Sequence, residues 1–262
     1  MAPVVFPDRP LTLLFAGGCH VAGYAVGEDA AFPVLVEGAL AAAGVEVRAS
    51  RVGYLKLAHR RRVVAACRGA APDVLILQFG HPELNKSLSA YWRSWLGLPP
   101  AESDSSDFAP LSDPGSLVSS GSELRRRSKA LIDRLLGHPL VDFGRIETLW
   151  DRLLAEIARC DVPRTVVLSP FPCPDPLVMY YRRRGGAVFA EVARRHGHEY
   201  IDLLDTLPSA RRDTLAPGCY ADVFHLGPRG HQAIAEGIAS RLLHGGVQVP
   251  VQSRLRTSER GH

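Results

Sequence analysis

Three short segments of the chain combine glycine with side chains able to move protons or attack a carbonyl carbon: Gly17-Gly18-Cys19-His20, Gly80-His81-Pro82-Glu83 and Asp222-Val223-Phe224-His225. A thiol becomes a nucleophile when a base removes its proton and its surroundings favour the thiolate. An aspartate and a histidine three residues apart on one loop can set the carboxylate against one ring nitrogen, which leaves the other to accept that proton. Neither feature is specific alone, since such a spacing often marks a turn or helix cap and a cysteine after a strand is commonly packing. Their placement gives them weight. Each lies in a loop of a chain that reads as alternating strands and helices, and open α/β sheets build sites at the carboxyl ends of their strands.

The elements that would position these residues are legible from hydropathy. Residues 11–16 form a continuous apolar run ending at Gly17-Gly18, as expected of a buried parallel strand, and the segment that follows can turn helical. A helical pattern over 30–43, a strand over 45–50 and a helix over 57–69 precede the most strand-like run, 74–79, which stops at Gly80. Further strands are predicted at 166–169 and 199–203, and helices at 123–136, 146–159, 177–195 and 228–243. Ser122 is placed to cap the first of these helices. Strands alternating with helices predict a three-layer α/β/α sandwich around a mainly parallel sheet, flavodoxin-like in class. One domain spanning 1–262 accounts for the whole, with an insertion or lid at about 86–145, rich in Ser, Pro, Asp and Gly, and a flexible tail after about 246.

With order and residues together, the sequence resembles the SGNH (GDSL-like) hydrolases. The run Leu14-Phe15-Ala16-Gly17-Gly18-Cys19-His20-Val21-Ala22-Gly23 is similar to that family's first block, with Gly18 at the place of its aspartate and Cys19 at that of its serine. Gly53 corresponds to the oxyanion-hole glycine, and Asp222 to His231 resembles the last block, a DxxH leading into a helix. The resemblance implies a Cys19-His225-Asp222 triad. It departs at the third block, where Pro82 takes the place of an asparagine that donates to the oxyanion, and proline carries no donor. His81 or Asn85 is then expected to supply that hydrogen bond, or the N–H groups of Cys19 and Gly53 act alone. Glycine at position 18 removes a carboxylate that would oppose thiolate formation. The expected activity is acyl transfer through an acyl-thioester on Cys19, as acyltransferase, cyclase or hydrolase. The alternative is a non-catalytic binding protein that keeps the pocket.

Composition narrows the setting. With 31 basic and 27 acidic residues the formal charge is only +4, which gives no footprint for nucleic-acid binding. The five cysteines form neither a CxxC pair nor a Cys/His zinc pattern, so no metal, no other cofactor and no disulfide framework is expected. The first apolar run is too short for a membrane span or leader, which predicts a soluble cytoplasmic protein. The expected partner is a small-molecule acyl substrate, free or borne on a carrier protein, and the sequence leaves oligomeric state open. Trp92 and Trp95 are candidates to pack on an acyl chain or anchor the insertion. Cys67, Cys160, Cys173 and Cys219 read as structural, and Tyr180, Tyr181 and Arg182-Arg183-Arg184 read as a solvated helix face more readily than a site for an acidic group.

Overall fold

The computed structural model describes residues 9–84, 141–173, 176–207, 218–221 and 224–244. Strands β1 (Leu11–Gly17), β2 (Val47–Val52), β3 (Val74–Gln78), β4 (Arg164–Leu168) and β5 (Glu199–Ile201) form one sheet in the order β2-β1-β3-β4-β5. Every neighbouring pair is parallel. The helices are α1 (Phe32–Ala42), α2 (Arg60–Ala70), the single turn α3 (His81–Leu84), α4 (Phe143–Ile157), α5 (Pro176–Arg195) and α6 (Pro228–His244), with a 3₁₀ turn at Leu57–His59 leading into α2.

Period-two alternation along β1 sorts the core into two layers. Leu11, Leu13 and Phe15 face α1 and α6, meeting Phe32, Val36 and Leu40 from the first and Ile234, Ile238 and Leu242 from the second. Leu14 and Ala16 point to the opposite face, where α2, α4 and α5 contribute Val63, Trp150, Leu153, Tyr181 and Phe189. The Trp150 ring sits edge-on between Phe79, 5.6 Å away, and Phe189, 4.7 Å away. Complete burial of side chains of this size stabilises the fold by about 1.5–3 kcal/mol each. The expected three-layer sandwich is therefore present.

Two local expectations change. No helix begins at Cys19. Residues 20–26 run as consecutive turns because Gly23, Ala25 and Gly27 all adopt positive φ (79°, 68° and 85°), which breaks a right-handed helix, so the first α-helix starts only at Phe32. Beyond Gly80, whose own φ is 102°, the chain instead makes the unanticipated turn α3. The predicted helix at 123–136 with Ser122, Trp92 and Trp95, most of the insertion, and the tail after 246 lie outside the described residues. Among the described residues, no helix is long and apolar enough to cross a membrane.

Candidate active site

The strand order reverses direction between β1 and β3: the chain leaves β1 for β2 on one side and returns to β3 on the other. At such a switch point the loops at the carboxyl ends diverge and leave a crevice. Cys19 follows β1 and His81 follows β3, so the two flank that crevice.

Backbone bonds hold the Cys19 turn from both sides. Gly18 N–H donates to Gln78 O at 3.0 Å, while the N–H groups of Leu55 and Tyr54 donate to Gly17 O and Gly18 O at 2.8 and 3.1 Å. The approach is so close that a β-carbon on Gly17 would lie 1.8 Å from Gln78 O, which explains the glycine. Gly53 is equally constrained, since a β-carbon there would sit 2.5 Å from that of Ala22. Its place beside the turn after Cys19 gives Gly53 a packing reason to be glycine that is independent of any oxyanion.

Cys19 is buried and is surrounded by imidazoles. The sulfur lies 3.7 Å from His20 Nδ1, and one ring nitrogen each of His20 and His81 falls with Cys19 Sγ in a group whose members are within 4.8 Å of one another. The His20 ring centre is 5.2 Å from that of His81, 5.6 Å from that of His225 and 5.9 Å from that of His231. His225 stacks obliquely between His81 at 4.4 Å and Tyr24 at 4.3 Å. It occupies a tight loop before α6, closed by an antiparallel bridge between Tyr220 and Leu226 and by Ala221 N–H donating to His225 O.

Hydrogen-bond partners that can only donate settle two tautomers. Leu226 N–H points at His20 Nε2 at 3.4 Å, so that nitrogen accepts. Burial, with help from the neighbouring His81, His225, His231 and Arg182, pushes His20 well below the usual imidazole range. The ring is therefore neutral, its proton is on Nδ1, and Nδ1–H is the group directed at Cys19 Sγ. His20 thus donates to the sulfur and cannot be its base. His81 follows the same logic: Arg182 donates to its Nδ1 at 3.1 Å, and burial together with Arg182 and His225 holds it well below the usual range, which puts the proton on Nε2.

Cys19, His20 and His81 have the spacing of a metal trio, but their hydrogen bonds do not suit a cation. A metal-bound imidazole normally gives its remaining N–H to an acceptor. Here Leu226 N–H and the Arg182 guanidinium occupy those directions as donors, so binding through either ring would set donor against donor or strip Arg182 of its acceptor. The arrangement suits an anion, whether a thiolate or a carbonyl oxygen gathering charge.

Arg182 was the residue least legible in the sequence. The triple-arginine run splits by helical geometry: Arg183 pairs with Asp205 at 2.6 Å and Arg184 lies over the Phe143 ring, whereas Arg182 is 1% exposed. Its guanidinium donates to Phe171 O at 2.6 Å and Pro172 O at 3.2 Å after β4, to His81 after β3, and to Phe224 O at 3.2 Å beside His225. The expected solvated face thus holds for Arg183 and Arg184 and is corrected for Arg182, as it is for the buried Tyr181. A signal was available, because Val178, Tyr181, Gly185 and Phe189 mark an inward stripe that includes position 182.

The remaining predicted residues sort simply. Asp222 and Asn85 lie outside the described residues. Cys67, Cys173 and Cys219 are buried and Cys160 is partly so. Burial pushes the Cys67 thiol up to about 12, which leaves it inert. Of the serines near the sheet's carboxyl edge, Ser169, just after β4, is buried and accepts from Leu203 N–H, a structural position.

No family model matches the sequence, and no curated protein matches it. Solved structures do match in fold. A lipase/acylhydrolase from Enterococcus faecalis superposes with a TM-score of 0.57 at 14% identity, covering 88% of this chain and 95% of that one. An acetylxylan esterase from Geobacillus stearothermophilus gives 0.54 at 17% identity, covering 88% and 94%. A lipolytic protein of the G-D-S-L family from Veillonella parvula gives 0.53 at 12% identity, covering 88% and 97%. At these identities the likeness establishes the fold alone: these proteins share the parallel five-stranded sheet with helices on both faces.

Proposed function

We propose that the protein is an acyl-transfer enzyme of the SGNH type with Cys19 as its nucleophile. The observation that carries this reading is the placement of the Cys19 sulfur at the end of β1, against an imidazole N–H and within the histidine cluster that includes His81 and His225. The fold shared with proteins named as esterases and acylhydrolases supports the same class of reaction.

In the proposed cycle His225 takes the Cys19 proton, Asp222 orients His225, and the sulfur bonds to the carbonyl carbon of an ester, thioester or amide. The carbonyl oxygen gains negative charge and accepts hydrogen bonds from the N–H groups of Cys19 and Gly53 and from His81 Nε2–H, in place of the side-chain donor that Pro82 lacks. Collapse expels the leaving group, which takes the proton from His225, and leaves an acyl-thioester on Cys19. Water, an amine or a thiol then attacks that carbonyl, gives its proton to His225 and releases the sulfur. Amines and thiols compete well with water for a thioester, so transfer and ring closure stand beside hydrolysis as outcomes of the cycle. The substrate is a small acyl donor, free or carrier-borne, and no cofactor is required.

Turnover of a panel of activated esters and thioesters, with and without amine acceptors, tests the reading. Cys19→Ala and His225→Ala are expected to lower kcat/KM at least a thousandfold while thermal unfolding stays near wild type. Saturable ligand binding with no turnover of any donor, unaffected by Cys19→Ala, would favour the binding protein instead.

A further inference from the structure

The buried arginine on α5 serves none of the roles assigned so far, yet it hydrogen-bonds the loops of His81 and His225 and ties both to the loop after β4. We propose that Arg182 is a positioning residue for acyl transfer: by donating to His81 Nδ1 it fixes the Nε2–H tautomer of that ring and so keeps a hydrogen-bond donor ready for the carbonyl oxygen. The proposal rests on the oxyanion role given to His81 above.

The geometry leaves little freedom. A guanidinium stays protonated and has no acceptor atom, so its 3.1 Å contact with His81 Nδ1 admits only one direction of donation. NH1 is anchored on Phe171 O and Pro172 O, and NH2 also reaches Phe224 O, so the planar fork cannot turn to release the ring. The titratable groups around Arg182 and His81 include Cys19 and His20 from the β1 loop, His225 from the last loop, Tyr220 beside it and Cys173 after β4. Free imidazole divides its proton between two nitrogens; a fixed donor at one of them assigns it to the other. A carboxamide donor needs no such control, whereas a histidine does. Arg182 is 1% exposed, so it acts through His81 and not on the substrate.

Two readouts separate this from a structural role. In long-range proton–nitrogen spectra of protein labelled at histidine nitrogen, with His81 assigned by its loss in His81→Asn, the His81 ring is expected as a single Nε2–H tautomer. Arg182→Met should add Nδ1–H or exchange-broadened signals. In a double-mutant cycle on the rate of acyl-enzyme formation, His81→Ala and Arg182→Met are each expected to slow acylation by one to two orders of magnitude. Arg182→Met in the His81→Ala background should cost less than about threefold more. Independent, multiplying losses with an unchanged His81 tautomer would overturn the proposal. An acylation rate unmoved by His81→Ala alone would instead overturn the oxyanion role on which it rests. Arg182→Lys, which keeps the charge in the site, is the companion should the methionine variant unfold. It should hold the tautomer in part and fall between wild type and His81→Ala, and a fully Nε2–H ring with His81→Ala-like rates would contradict the proposal.

Discussion

At Cys19 the decisive interactions are with neutral donors. His20 is fixed as an Nδ1–H donor by Leu226 N–H, so it steadies negative charge on sulfur without competing for the proton. The absence of a side chain at position 18 acts in the same sense. The nearest neighbours of a β-carbon there would be Gln78 Oε1 at 3.8 Å and His81 and Leu55 at 3.9 Å, which is ordinary contact, so the β-carbon itself does not enforce the glycine. Gly18→Asp is therefore expected to fold and to place a carboxylate near the thiol. The pH profile of Cys19 alkylation by iodoacetamide should then move upward by on the order of one unit at low salt. An unshifted profile would show that Gly18 has no part in setting the thiolate.

At the scale of elements, the site depends on how closely three loops approach. Gly53→Ala would press a methyl into Ala22, and because both partners are backbone-borne the loop after β2 must shift. The expected result is a loss of roughly 1–3 kcal/mol in urea unfolding together with slower acylation. Full activity with lowered stability would reduce Gly53 to packing. The sheet was largely legible because fully buried parallel strands announce themselves as apolar runs, as in Val74-Leu75-Ile76-Leu77. The turns at 20–26 were not, since Ala25 adopts a left-handed conformation that its residue type does not advertise. The role of His20 is not legible for a related reason: it is set by Leu226 N–H, 206 residues further along the chain, which no local pattern contains. Arg182 was masked by its neighbours, because a run of three arginines looks like surface until the helix is packed.

Across the whole molecule, the histidine cluster couples the site to stability. His231 accepts from Phe32 N–H at 3.0 Å at the start of α1, where Ala31 has no capping side chain, and burial holds it down to about 4 with a further contribution from His225. His20 and His81 are likewise held neutral. Each folded-state value lies below the unfolded value of about 6.5, so on acidification the unfolded chain binds protons that the folded chain does not. Stability should therefore be level above about pH 7 and fall as the pH drops through 6.5 toward 4. Well inside that window the loss approaches roughly 1.4 kcal/mol per pH unit for each such histidine. The urea midpoint followed from pH 7.5 to 5 checks this, and a flat midpoint would mean that the rings titrate in the fold as they do in the unfolded chain.

The nucleophile itself is tested most directly by intact-mass analysis after brief exposure to activated acyl esters and thioesters, followed by peptide mapping. The account predicts one acyl group per chain, located on Cys19, absent in Cys19→Ala, slow to form in His225→Ala, and discharged faster by an amine than by water. An adduct on another residue, or none with any donor while Cys19 alkylates no faster than a free thiol, would contradict it.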